Sequence, residues 1–252
     1  NYTPLNVQIK NLLSSFVSAQ AILWGVRSAF RLVTNTIQDS MQVASAAEET
    51  WNLFVTTFDE VENTAVKAST AIASSMGLAT STAQKAMGVF GDLALGYNQT
   101  DKAALDFSET LTKSTLDLIS FKNISGSYDE IFSAIASGIA GNVENFRKYG
   151  VVITQAEVKT RLQQKGLDKL TGSSLQFAQM QERMNIFIEK TANAEGDMIK
   201  TMDSSENVTR RLAEATKEWK ENFGEDWNRI FTPIKRELAN YIESLNRARE
   251  AE

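Results

Sequence analysis

The chain has 252 residues, 42% apolar and 23% charged, an ordinary balance for a folded protein. It contains no His and no Cys, which excludes His-dependent triads, cysteine nucleophiles, thiolate clusters, disulfides and the common zinc sites. The net charge is −5, and no block of basic residues offers a track for phosphates. Only 2 residues are Pro, and Ala, Gln, Glu, Lys and Leu are plentiful, so the expected fold is all-α. No metal or cofactor is expected.

No start resembling a signal peptide is present, and the chain opening at Asn1 reads as a fragment or a processed product. The most apolar stretch, Asn11 to Val26, is interrupted by Ser14, Ser15, Ser18 and Gln20, too polar and too short for a membrane span. A heptad seam follows. Leu12, Phe16, Ala19, Leu23, Val26, Phe30, Val33 and Ile37 alternate steps of four and three. The register continues through Ser40, Ala44, Ala47, Trp51, Phe54, Phe58, Val61, Ala65, Ala68 and Ile72. As one helix, 12–72 would reach about 90 Å at ~1.5 Å per residue, longer than a domain of this size is wide. It is either an extended rod or a chain that folds back. The small residues from Ser40 to Ala47 predict a bend there. The seam serves packing within the chain or an interface between copies of it.

Glycines become frequent after Met76, at Gly77, Gly88, Gly91 and Gly96, and predict turns. Thr80 or Ser81 would cap a short helix after Gly77. Helices are predicted at 101–121, 128–137, 143–148, 155–165 and 174–193. Ser127 with Glu130, and Thr154 with Glu157, form two capping-box patterns. Gly150 and Gly166 suit helix C-caps. The run Tyr149 to Ile153 could be extended. Asp203 to about Ala248 reads as one or two charged amphipathic helices, divided near Gly224 or Pro233. Three regions result: a long helical arm with a coiled-coil-like seam (1–76), a compact multi-helix middle (77–200) and a charged helical arm (201–252).

The middle region carries a family resemblance. Phe107-Ser108, Leu111-Thr112, Asp117-Leu118 and Ser120-Phe121 stand on one predicted helix. Ser137-Gly138 and Gly141 follow, then Phe146 and Gly150. Farther on come Gly196-Asp197, Thr201, Asp203-Ser204 and Asn207. In order and spacing these resemble the core domain of phage tail tape measure proteins, over roughly residues 45–225. The chain departs from that pattern at Tyr97-Asn98, Asn142, Phe146 and Tyr149.

The resemblance implies a non-catalytic structural protein inside a phage tail, made in the bacterial host. Such proteins set tube length during assembly, then leave the tube and help DNA cross the host envelope. Implied partners are further copies of the chain, tail tube protein, the tail assembly chaperone and tail-tip proteins, with transient contact with DNA and host membrane. Gly138 and Gly141 are expected to bracket a sharp helix–helix turn, where a missing Cβ permits unusual φ or close approach. Asp203 and Ser204 are expected to cap the helix bearing Asn207. The structural and interface residues singled out are Phe30, Trp51, Phe54, Phe58, Phe107, Leu111, Phe121, Gly138, Gly141 and Gly150.

Three rival readings compete with this one. A wall-degrading glycosidase needs a Glu acid in a cleft, and Glu243 sits on a charged helix without one. A membrane-active helical protein forming a channel for DNA would use the 12–37 helix, with Trp24, Arg27 and Arg31. A coiled-coil adaptor would share the heptads but not the glycine spacing.

Overall fold

The structure is a computed structural model. It describes the backbone of residues 19–250, and side chains from residue 35 to residue 226 and at Arg229. The described residues form helices and turns with no strand. In chain order these are α1 (Ala19–Thr57), a 3-10 turn (Asp59–Val61), α2 (Glu62–Met76), α3 (Thr80–Leu95), α4 (Asp101–Phe121), α5 (Tyr128–Ala140), α6 (Glu144–Arg147), α7 (Gln155–Gln164), α8 (Gly172–Thr191), a second 3-10 turn (Ala192–Ala194), α9 (Asp197–Lys200) and α10 (Ser205–Glu250). The all-α expectation is met.

The chain divides into two compact units, residues Ala46–Trp219 and the two ends, Asn1–Ser45 with Lys220–Glu252. The larger unit therefore begins inside α1 and ends inside α10.

Within the larger unit the seam of α1 and α2 points inward. Phe54, Phe58, Ala65 and Ile72 are buried, and Phe54 and Phe58 meet edge to face with centroids 5.1 Å apart. α3 receives them. A Cβ on Gly91 would lie 2.5 Å from the Phe58 ring, and one on Gly88 would touch Leu53. These two glycines break nothing: α3 runs straight through them, and they bring α1 close. α4 is the central helix, burying Leu105, Phe107, Leu111, Leu116, Leu118 and Ile119. Phe132 of α5 meets Phe90 edge to face at 6.1 Å, and Phe146 of α6 stacks on Phe187 of α8 at 5.5 Å. Burial of aromatics of this size is the largest favourable contribution available to such a core.

The helix starts follow local chemistry. Thr100, Ser127 and Thr154 each accept a hydrogen bond from the backbone N–H three residues on, at Ala103, Glu130 and Glu157. Gly150 and Gly166 adopt φ of +70° and +68° just beyond α6 and α7. Residues 151–153 are not helical. Val151 and Ile153 are buried while Val152 is exposed, so the run is extended without joining a sheet.

Two local expectations are corrected. α1 is not interrupted at Ser40–Ala47; it runs on to Thr57 and ends at the Asp59–Val61 turn. α10 is not divided at Gly224 or Pro233. Both corrections have one cause in the smaller unit. Gly224 of α10 lies against α1, where a Cβ would collide with the Ser40 carbonyl and sit 2.9 Å from the Ala44 Cβ. Small residues at 40, 44 and 224 let two helices approach, rather than breaking one of them. Lys220 and Asp39 face each other there at 3.7 Å.

Candidate functional site

The residues that carry the family resemblance lie far apart in sequence. α4 supplies Asp117 and Ser120; α9 and its flanks supply Gly196, Asp197 and Thr201; α10 supplies Asn207. They meet in one hydrogen-bonded cluster.

Asp117 is 6% exposed. Its Oδ2 accepts from the Gly196 N–H at 2.8 Å, and its Oδ1 from the Met198 N–H at 3.1 Å. Burial raises its pKa above the usual carboxylate value, these two backbone bonds oppose that rise, and Asp197 and Glu195 add to it. Ser120 Oγ donates to Asp197 Oδ2 at 2.7 Å and lies 2.9 Å from Thr201 Oγ1. Thr201 Oγ1 donates to the Asp197 carbonyl at 2.7 Å. The Asn207 amide donates to Ser120 Oγ (2.9 Å), Thr201 Oγ1 (2.8 Å) and the Thr201 carbonyl (3.1 Å). Asn207 Oδ1 accepts from Arg210, whose other nitrogen reaches Asn123 Oδ1 at 2.7 Å. Ser204 Oγ accepts from the Asn207 N–H and caps α10. Asp203 is fully exposed and takes no part in that cap.

The glycines of the middle motif act differently from one another. Gly138 lies inside α5, so the helix does not turn there. Its role is close approach: a Cβ would stand 2.6 Å from the Phe146 ring. Gly141 makes the turn, with φ at +142°. Arg183, buried on α8, closes the end of α5 by donating to the Ile139 and Ala140 carbonyls at 3.1 and 3.2 Å. A cation at a helix C-terminus is favourable there. Gly150 lies under Lys122, whose ammonium donates to its carbonyl at 3.2 Å.

The remaining singled-out residues separate by burial. Phe54, Phe58, Phe107 and Leu111 are core. Trp51 is 37% exposed and stacks on Phe54 at the rim. Phe121 is 44% exposed at the end of α4. Phe30 lies outside the described side chains.

A second cluster joins α10 to the start of α3. Glu214 of α10 is buried, and its Oε2 accepts from the Ala79 N–H at 3.1 Å and from Thr82 Oγ1 at 2.6 Å. The N-cap of α3 is Ala79, which has no capping side chain of its own, so Glu214 supplies the cap from 135 residues away. Lys217 donates to Thr82 Oγ1 at 2.8 Å. Among the described residues the buried Tyr128 hydroxyl has no hydrogen-bond partner; burial and the nearby Glu214 push its pKa up to about 12. The sequence signal for this cluster is the polar spacing Asn207, Arg210, Glu214, Lys217, one face of a helix. Such a face is normally read as solvated.

Beside Asp117 runs an open groove of about 700 Å³, lined among others by Asp106, Glu109, Lys113 and Glu195. Lys113 pairs with Glu109 at 2.6 Å, and both Asp117 oxygens hold backbone. Among the described residues no three acidic side chains gather in a way that would hold a metal ion, and no helix is long and apolar enough to cross a membrane.

No family model, curated protein or solved structure matches the chain.

Proposed function

We propose that the chain is the core segment of a phage tail tape measure protein, a non-catalytic structural protein. It acts inside the tail tube, sets tube length during assembly and assists DNA ejection. It is made in the host cytoplasm and works with further copies of itself, tail tube protein, the assembly chaperone and tail-tip proteins. DNA and the host membrane are transient contacts on ejection.

One observation supports this reading most. The segments that carry the resemblance, around Asp117-Ser120 and Gly196–Asn207, form a single hydrogen-bonded cluster. A chance likeness of scattered residues has no reason to converge in space. The clusters and glycine contacts are architectural, which agrees with a structural role.

The test is tail length in virions whose parent gene lacks residues 12–39, four heptads that preserve register. A helical ruler advances ~1.5 Å per residue, so tails shorten by about 42 Å if this segment lies along the tail axis. Tails of unchanged length would remove the measuring role from these residues.

A further inference from the structure

The larger unit holds the start of α10 in an unusual way. Among the described residues, no side chain of α10 joins the apolar core, whose last member along the chain is Met198. Val208 and Leu212, which should be the natural anchors, are 47% and 68% exposed. The face turned to the unit is polar instead. Asn207 and Arg210 grip α9's flank and the loop after α4. Glu214 and Lys217 grip the start of α3. Between them the Arg211 stem lies across Gly77, where a Cβ would stand 2.6 Å from Arg211 Cγ. That glycine has φ of +69°, so two demands fix its identity.

We propose that the first four turns of α10 are a polar strap, which undocks from the unit as one piece while the core stays folded. When an apolar interface parts, both faces lose stabilisation to water. When a hydrogen-bonded one parts, donors and acceptors on both sides bond to water again, so the net loss is a fraction of the gross bond energy. The strap can also leave without melting. Its backbone bonds are internal to the helix, and Glu206 pairs with Arg210 along its surface at 3.6 Å. The two polar grips sit seven residues apart on one rigid element, so loosening either loosens both. Opening of this kind is sub-global, below the free energy of complete unfolding. The inference does not depend on the tail reading.

The experiment is amide hydrogen exchange by NMR on the whole chain. The Ala79 N–H, whose acceptor is Glu214, reports docking. The amide of Leu111, fully buried in α4, reports the core. The strap predicts at least 100-fold lower protection at Ala79 than at Leu111. E214Q should raise Ala79 exchange at least tenfold, and R210M, at the other grip, at least threefold; I186V, in the core on α8, should lower protection at Leu111 and leave Ala79 unchanged, because it weakens the docked and undocked forms alike. Equal protection at the two amides overturns the proposal. So does an R210M variant in which Ala79 is unaffected, because the two grips would then act separately. An I186V variant that lowers protection at both amides together overturns it too, since Ala79 would then exchange only when the core unfolds.

Discussion

The Asn207 amide donates to Ser120 Oγ at 2.9 Å across 87 residues of sequence, and it joins α10 to α4 and α9 at once. Ser120 in turn donates to Asp197, and Thr201 lies within reach of all three. Every member has a partner, the condition under which a polar network specifies structure instead of weakening it. N207A deletes three donor contacts and leaves the Ser120 and Thr201 hydroxyls short of a donor. The expected loss is about 1–3 kcal/mol, read as a lower urea midpoint with an unchanged slope. N207D should be worse, because it replaces the donor by an anion beside the Ser120 and Thr201 hydroxyls, which already serve Asp197.

Gly138 and Gly141 stand three residues apart and fail differently when substituted. In G138A the new methyl meets the Phe146 ring inside a packed core, and overpacking of this kind costs about 1–3 kcal/mol. The double variant G138A/F146L makes room and should recover part of that loss. In G141A the space is open, with Arg183 at 3.6 Å, but φ is +142° and an L-residue is strained there. Trimming Arg183 therefore rescues nothing in G141A. Thermal unfolding of the two double variants separates the mechanisms. If F146L fails to recover any of the loss in G138A, the close-approach assignment is wrong.

Much of this architecture was legible in the sequence where the cause is local. α4 falls on its predicted bounds, Asp101–Phe121, and the hydroxyl caps at Ser127 and Thr154 are as expected, because a cap needs only its own next three residues. Gly88, Gly91, Gly138 and Gly224 read as breaks in the sequence and are close approaches in the fold. A glycine in a sequence signals either a special φ or a close neighbour, and only the fold says which. Glu214 was invisible for the same reason: a charged residue on a charged helix looks solvated until its partner, 135 residues away, is in place. The resemblance pointed to Asp117, Ser120, Thr201 and Asn207, but did not say that they touch.

Tyr128 gives a prediction of opposite sign. Its ring stacks on Phe132 at 5.9 Å, while its hydroxyl is buried without a partner among the described residues. Removing an unsatisfied buried polar atom while keeping the ring relieves a desolvation penalty. Y128F is therefore expected to be neutral or to stabilise by up to about 1 kcal/mol, measured by urea unfolding. A loss above about 1 kcal/mol would mean that the hydroxyl has a partner, since a typical single hydrogen bond is worth about that much.

The Arg161–Glu189 pair sets a pH-dependent contribution. Both guanidinium nitrogens reach the carboxylate, at 2.7 and 2.6 Å, joining α7 to α8. Arg161 holds the Glu189 pKa below its usual 4.5. A carboxylate with a depressed folded pKa binds its proton less tightly when folded, so its stabilisation is fully present above the unfolded pKa and is lost as pH falls through the folded one. Glu189 is 57% exposed, so the contribution is screened, about 0.5 kcal/mol. E189Q should therefore be slightly less stable than the parent chain at pH 7. The gap should narrow below about pH 4.5 and close once Glu189 is protonated in both states. It should also shrink in 1 M salt at pH 7, where screening reaches ~3 Å. A gap that stays constant from pH 7 to pH 3 would assign the loss to packing of the Glu189 side chain and not to its charge.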